Sequence, residues 1–145
     1  MRSSLGKRLA LASQQRLIKP LPNGPQAAPA RWARAQKNLH DAEASSQRGD
    51  EEWAIVQSYY AAFHAFTALL MLHGYDESGH RRLYRAVVEC FVEEGVVARD
   101  LAEDFLALMR WREDAQYHGS FGPGRAEQAL QMARRIVETL GELLD

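Results

Sequence analysis

The segment from Trp53 to Gly74, WAIVQSYYAAFHAFTALLMLHG, is the strongest indication of the fold. Its apolar residues recur at steps of three and four, which is the period of an α-helix. Further large residues, such as Phe66 and Leu69, extend the apolar surface almost all the way round, as is typical of a helix at the centre of a core. Asp50 is a suitable N-cap, and Gly74 easily adopts a left-handed C-cap. These features predict a central helix between Asp50 and Gly74.

The segments on both sides of this helix have the same helical period. Their caps and apolar stripes predict helices over about 30–48, 80–94, 97 or 99 to just before 119, and 125–144. Alternation of apolar and polar residues is nowhere long enough to predict a strand. Because the predicted loops are short, neighbouring helices should be antiparallel. The expected fold class is therefore all-α, an up-and-down bundle of four to five helices.

The N-terminal part of the chain differs in charge and composition from the rest. Eight of the 18 Lys and Arg residues fall within residues 1–40, while all 19 acidic residues lie further on. Several prolines between Pro20 and Pro29 predict a linker. We therefore expect residues 1–29 to form a basic, partly flexible arm with a Pro-rich linker, and residues 30–145 to form the helical domain. The arm could contact nucleic acid, fold onto acidic surface of its own or a partner subunit, or be a disordered leader.

Composition is that of a soluble protein with one domain. The chain has 145 residues, of which 46% are apolar and 26% charged. Its single cysteine, Cys90, excludes an internal disulfide framework and is expected to be a small buried residue. The apolar run 61–72 is too short to span a bilayer, and no convincing secretory segment precedes it. The expected localisation is cytoplasmic, with no membrane partner.

Two motifs together indicate a family. The first is the series of aromatic and small residues from Tyr59 to His64 followed by Ala68-Leu69-Leu70 and Gly74-Tyr75. The second is an arginine with a histidine six positions later, Arg112 and His118. The chain resembles the HEPN domain family, in its bacterial branch with the pattern YYAAFHAxxALLxxxGY and a late Arg-x(4–6)-His, over roughly residues 30 to 144.

The resemblance implies a homodimer that cleaves RNA without a metal or cofactor. In that mechanism the 2′-hydroxyl attacks the adjacent phosphorus and leaves a 2′,3′-cyclic phosphate. His118 would transfer the proton, and Arg112 would stabilise the charge on the transition state. Such a ribonuclease could be a toxin or defence effector restrained by a cognate antitoxin such as a minimal nucleotidyltransferase. The alternative is a non-catalytic binding or assembly module that holds a partner protein, a nucleotide or RNA.

Other residues near the motif are candidates for substrate contact. In a regular helix Arg112 and His118 would be about 120° from alignment, so the helix loosens or the two side chains act across a dimer. The candidate substrate-binding residues are Arg110, Glu113, Tyr117, Arg81 and Arg82. Glu113 departs from the family pattern, because its carboxylate would repel phosphate unless it faces away. Ser120 stands where some family toxins have an adenylylated tyrosine. His64 is expected to be a hydrogen-bonded core histidine, and the other histidines lack metal-ligand spacing.

Overall fold

The computed structural model describes residues 3–119 and 121–144. These residues form six α-helices, two π-helical segments and two short strands. In chain order the elements are α1 Ser4–Gln14, β1 Ile18–Pro20, α2 Gly24–Gln47, α3 Glu51–Leu72, β2 Tyr75–Glu77, α4 His80–Ala86, a π-helical segment Val87–Val92, α5 Arg99–Glu113, a π-helical segment Asp114–His118, and α6 Arg125–Leu144.

Helix α3 is the centre of the bundle, as predicted. It packs against α2, α5 and α6, and most of its side chains are buried. The carboxylate of Asp50 accepts a hydrogen bond from the Trp53 backbone N–H at 3.3 Å, so the predicted N-cap is present. Gly74 has φ of 89°, the left-handed conformation that its position required. Helix α3 is long and apolar enough to cross a membrane, but 78% of its most apolar window is buried inside the bundle, which is consistent with a soluble protein.

Polar side-chain contacts show how the long helices are aligned. The Asn38 side-chain amide donates to the Gln57 side-chain oxygen at 2.6 Å, which connects the middle of α2 with the first half of α3. Arg134 on α6 pairs with Glu43 on α2 at 3.3 Å, and Arg135 pairs with Asp104 on α5. The prediction of an all-α helical bundle is confirmed.

The N-terminal segment contains regular structure that the sequence analysis did not predict. Leu9 and Ala12 on α1 are buried, and Leu17 and Ile18 continue the same contact with the core. Strand β1 pairs antiparallel with β2, so that Ile18 lies opposite Glu77. Residues 4–20 are thus packed against the bundle.

The expectation of a Pro-rich linker ending at Pro29 was wrong for residues 24–29, which form the start of α2. Pro25 lies in the first turn, where its missing N–H has no helical partner to lose. Both Pro25 and Pro29 are exposed. Because Pro29 has no N–H, the backbone carbonyl four residues earlier lacks a helical donor, and water can hydrogen-bond to it instead. The expected boundary between residues 29 and 30 therefore falls inside α2.

Two predicted helices change their hydrogen-bond pattern before they end. The helix predicted over 80–94 is α-helical only to Ala86 and then π-helical, and α5 becomes π-helical after Glu113. The second change ends at Gly119, whose φ is 63°. The π-helical segment Asp114–His118 therefore begins two residues after Arg112 and ends at His118, so the helix loosens here, which was one of the two expected alternatives.

Candidate functional site

Arg112 lies at the end of α5 and is held against α3. Its guanidinium carbon is 4.8 Å from the centroid of the Tyr59 ring and 5.9 Å from that of Tyr60, so both rings can make cation–π contacts with it. Its Nη1 donates to the side-chain oxygen of Gln116 at 3.2 Å. The residue is only 8% exposed, and its Nε is buried without a partner in the described part of the chain. Arg112 is therefore a positioned guanidinium rather than a solvated helix end.

Tyr59 connects this arginine to a histidine that the motif did not include. The Tyr59 hydroxyl lies 2.5 Å from Nδ1 of His80, the first residue of α4. Tyr59 is fully buried, and burial raises the pKa of its hydroxyl, although Arg112 opposes that rise. Burial, together with the nearby Arg112, lowers the pKa of His80, while Glu77 and Glu113 act in the opposite direction. At neutral pH both groups are therefore uncharged.

His64 lies one turn after Tyr60 and packs against its ring. The two ring centroids are 6.2 Å apart and the rings are close to parallel. His64 was expected to be a hydrogen-bonded core histidine, but it is half-buried, and its Nδ1 is buried with no partner among the described residues. Burial, followed by the charges of Arg31 and Arg34 on α2, lowers the pKa of His64 to about 4. This imidazole is neutral at physiological pH.

The Glu113 carboxylate faces Arg81 instead of Arg112. Arg81 Nη2 lies 3.3 Å from Glu113 Oε1, which links α4 to the end of α5. This pairing compensates the negative charge that the sequence placed beside the motif arginine. Arg82 and Arg110 are both exposed. Of the basic candidates, Arg81 is therefore joined to the Arg112 region through Glu113, whereas the contacts of the described residues do not bring Arg82 or Arg110 to it.

His118 ends the π-helical segment Asp114–His118 and is exposed, as is Tyr117 beside it at 71%. Among the described residues, no hydrogen bond joins His118 to Arg112. The segment packs against α3 through the buried Ala115. One chain thus presents a buried guanidinium and an exposed imidazole at the same end of the bundle.

A groove of the described structure lies elsewhere. It has a volume of about 500 Å³ and runs between α2 and α6, where Trp32, Glu43 and Glu138 line it. None of the motif residues contributes to it, and we consider the Arg112 region the better candidate because the polar and aromatic groups converge there. Within residues 3–119 and 121–144, no group of three or more His, Cys, Asp or Glu side chains is arranged to hold a metal ion. Cys90 is buried, as expected, and burial raises the pKa of its thiol to about 11.

The architecture and this site define an α-helical bundle with an arginine and a histidine at the end of one helix. The HEPN domain family model matches residues 28–143, and the chain belongs to this family. It is 33% identical over 87 residues to a UPF0332 protein of Archaeoglobus fulgidus, a match that covers 60% of this chain and 69% of that protein. It is also similar to the crystal structure of TT1696 from Thermus thermophilus, with a TM-score of 0.68 and 26% identity, over 80% of this chain and 97% of that one.

Sequence reasoning did not assign Tyr59, Tyr60 or His80 to the site. The two tyrosines were visible as part of the family motif, but their periodicity indicated only core packing. His80 was visible only as the start of a predicted helix. What joins these residues to Arg112 is the packing of α4 and α5 against the same part of α3.

Proposed function

We propose that this chain is a metal-independent endoribonuclease of the HEPN type, with Arg112 and His118 as its catalytic residues. The observation that supports this most is the contact of the Arg112 guanidinium with the rings of Tyr59 and Tyr60, near the neutral imidazole of His80 and a few residues before an exposed histidine. A guanidinium held in a partly dry site interacts more strongly with phosphate than one in water.

The reaction is an internal transfer at phosphorus. The 2′-oxygen forms a bond to the adjacent phosphorus while the bond to the 5′-oxygen breaks, which leaves a 2′,3′-cyclic phosphate and a free 5′-hydroxyl. The 2′-hydroxyl loses a proton as it attacks, and the 5′-oxygen gains one as it leaves. His118 makes one of these two transfers, since imidazole transfers protons near neutral pH. Arg112 donates hydrogen bonds to the phosphate oxygens as negative charge builds up on them. DNA lacks the attacking hydroxyl and is not cleaved.

The proposed site is completed by a second copy of the chain. Arg112 is largely enclosed by its own subunit and His118 faces solvent, so a two-fold dimer that brings these helix ends together would place His118 of one subunit beside Arg112 of the other. Tyr117, which is 71% exposed, would then be covered by the partner. Such a composite cleft fits the absence of a bond between Arg112 and His118 within the described part of one chain.

The proposed cellular role is that of a cytoplasmic toxin or defence effector, restrained by a separately encoded antitoxin such as a minimal nucleotidyltransferase. We expect host cells to stop growing when expression of the protein is induced, and to grow normally when the induced protein is a folded His118→Ala variant. Adenylylation of a tyrosine two residues after the histidine is not part of this proposal, because Ser120 occupies that position.

One observation favours a second function, that of a non-catalytic module which holds a partner protein, a nucleotide or RNA. Arg112 is 8% exposed and already bonded to Gln116, so its guanidinium is less open to phosphate than that of a surface arginine. Cleavage of a labelled single-stranded RNA in EDTA, beside DNA of the same sequence, separates the two functions. RNA-specific cleavage that is lost in His118→Ala supports the ribonuclease, and intact RNA with a folded dimer supports the binding module.

A further inference from the structure

A second imidazole contacts the same tyrosine as Arg112, and its orientation is fixed. His80 stacks on Phe63, with centroids 4.6 Å apart, and its ring meets that of Tyr59 edge to edge, with centroids 5.7 Å apart. Its Nδ1 meets the Tyr59 hydroxyl at 2.5 Å. Two aromatic contacts and one hydrogen bond thus hold the ring. The hydrogen bond is made with Tyr59, whose ring also contacts the Arg112 guanidinium.

The direction of the Tyr59–His80 hydrogen bond follows from burial. Tyr59 is 0% exposed, and within the described residues its hydroxyl has His80 as its hydrogen-bond partner. If His80 donated from Nδ1, the tyrosine proton would be left buried without an acceptor, which costs free energy. Tyr59 therefore donates, and Nδ1 of His80 accepts. In a neutral imidazole that accepts at Nδ1, the proton is on Nε2.

Nε2 of His80 is free to meet a ligand. It has no hydrogen-bond partner among the described residues. Unlike Nδ1 of His64, it is not one of the buried polar atoms without a partner, so it is accessible from solvent. The His80 residue as a whole is half-buried. The neighbouring charges are Arg112, which disfavours a second proton on the ring, and the carboxylates Glu77 and Glu113, which favour it. The exposed edge of His80 is consequently an N–H donor next to a guanidinium.

We propose that His80 binds substrate phosphate together with Arg112, donating from Nε2–H to a non-bridging oxygen, and that Tyr59 is the positioning residue that fixes this tautomer. The inference rests on the proposed site at Arg112. It assigns to His80 a binding role distinct from the proton transfer of His118, because the Tyr59 bond occupies Nδ1 and leaves Nε2 protonated. A fixed neutral donor adds a directional hydrogen bond to phosphate without adding another charge.

The first test is the tautomer of His80 in the full-length protein, read from long-range ¹H–¹⁵N spectra of ring-labelled histidine. We expect the Nε2–H form at neutral pH, and we expect Tyr59→Phe to abolish that fixed form. An Nδ1–H form in the unaltered protein would overturn the proposal. This measurement requires no substitution at His80.

The second test is binding of a single-stranded DNA oligonucleotide, which presents the same phosphates and is not consumed. His80→Leu should weaken binding about tenfold, the typical loss of a hydrogen bond to a charged group. His80→Gln, which retains an N–H₂ donor near the Nε2 position, should weaken it less than threefold. His40→Leu, an exposed histidine on α2, is the matched control and should leave binding unchanged.

Equal affinities of His80→Leu and the unaltered protein, or failure of the unaltered protein to bind the oligonucleotide, would overturn the proposal. If the unaltered protein binds, His80→Leu weakens binding and RNA remains uncleaved, the ribonuclease proposal fails while the phosphate-binding role of His80 stands. The two proposals are therefore tested separately.

Discussion

The guanidinium carbon of Arg112 lies 4.8 Å from the centroid of the Tyr59 ring. This contact joins the end of α5 to the central helix at the position where the family motif places two adjacent tyrosines. The planar, delocalised guanidinium can stack on an aromatic ring and at the same time offer a fork of N–H donors. A lysine ammonium does not combine these two properties.

Replacement of Arg112 tests whether the shape of this cation matters. We expect Arg112→Ala to lower the rate of RNA cleavage by about 100-fold or more, the usual loss when a donor to the transition state is removed. Arg112→Lys retains the charge and should still lose at least about tenfold, because the fork and the stacking are absent. Steady-state cleavage rates provide the measurement. Arg99→Ala, at the other end of α5 and paired with Glu93, is the control and should retain the wild-type rate.

The composite site predicts complementation between two inactive variants. A dimer of one Arg112→Ala chain and one His118→Ala chain contains one intact pair, if the two residues act across the interface. An equal mixture of the refolded variants should therefore recover about a quarter of the wild-type rate. If the mixtures are shown to exchange subunits and yet recover no activity, Arg112 and His118 do not act across the interface.

A matched pair of substitutions tests whether the N-terminal helix α1 packs against the core. Leu9 is 2% exposed and Leu11 is 53% exposed on the same helix. Leu9→Ala should lower the free energy of unfolding by about 2–5 kcal/mol, and Leu11→Ala by about 0.5 kcal/mol or less. Chemical denaturation measures both. Equal small losses would show that α1 is not part of the cooperative core in solution.

His64 should make the fold sensitive to mild acid. Its pKa of about 4 in the folded protein lies below the ordinary 6.5, so between these values the unfolded chain binds a proton that the folded chain excludes. The free energy of unfolding therefore falls as the pH is lowered from 6.5 towards 4.

Because the ring is half-buried and shares its surroundings with Arg31, Arg34 and His80, we expect this loss to be about 2 kcal/mol rather than the full value of the shift. His64→Gln should remove most of it, whereas His40→Gln, at an exposed position, should not. Unfolding curves at pH 7 and pH 4.5 decide the matter. An unchanged pH dependence in His64→Gln would contradict the assignment.

Gly24 should be needed where α2 begins. A Cβ at this position would lie 2.4 Å from the backbone oxygen of Met71, which cannot move without shifting the end of α3. Gly24→Ala should therefore lower the free energy of unfolding by about 1–3 kcal/mol. Gly122→Ala is the control, because the nearest atom to its added Cβ, at 3.8 Å, belongs to the flexible side chain of Arg125. A neutral Gly24→Ala would mean that α2 and α3 lie further apart here.

The sequence was sufficient for the features that local chemistry determines. Asp50 and Gly74 delimit α3 because a cap and a left-handed turn need particular residue types, and the apolar period of α3 determines its burial. The pairing of β1 with β2 was not predictable, since three-residue strands have no visible alternation and join segments far apart in the chain. The start of α2 was missed because prolines in the first turns of a helix were interpreted as a linker.

The sequence supplied the candidate residues of the site but not their geometry. The family motif selected Arg112 and His118 as candidates, and Glu113 was expected to repel phosphate unless it faced away. Its pairing with Arg81 depends on how α4 crosses α5, which local sequence does not encode. The same holds for the π-helical segment Asp114–His118, because a π-helical hydrogen-bond pattern depends on packing rather than on residue preference.

The most direct measurement is the chemistry of the RNA ends that the purified, full-length protein produces in EDTA, alone and as Arg112→Ala and His118→Ala. The account predicts 2′,3′-cyclic phosphate and 5′-hydroxyl ends from the unaltered protein, and neither product from the two folded variants. Uncleaved RNA, ends of another kind, or cleavage that persists in both variants would contradict it.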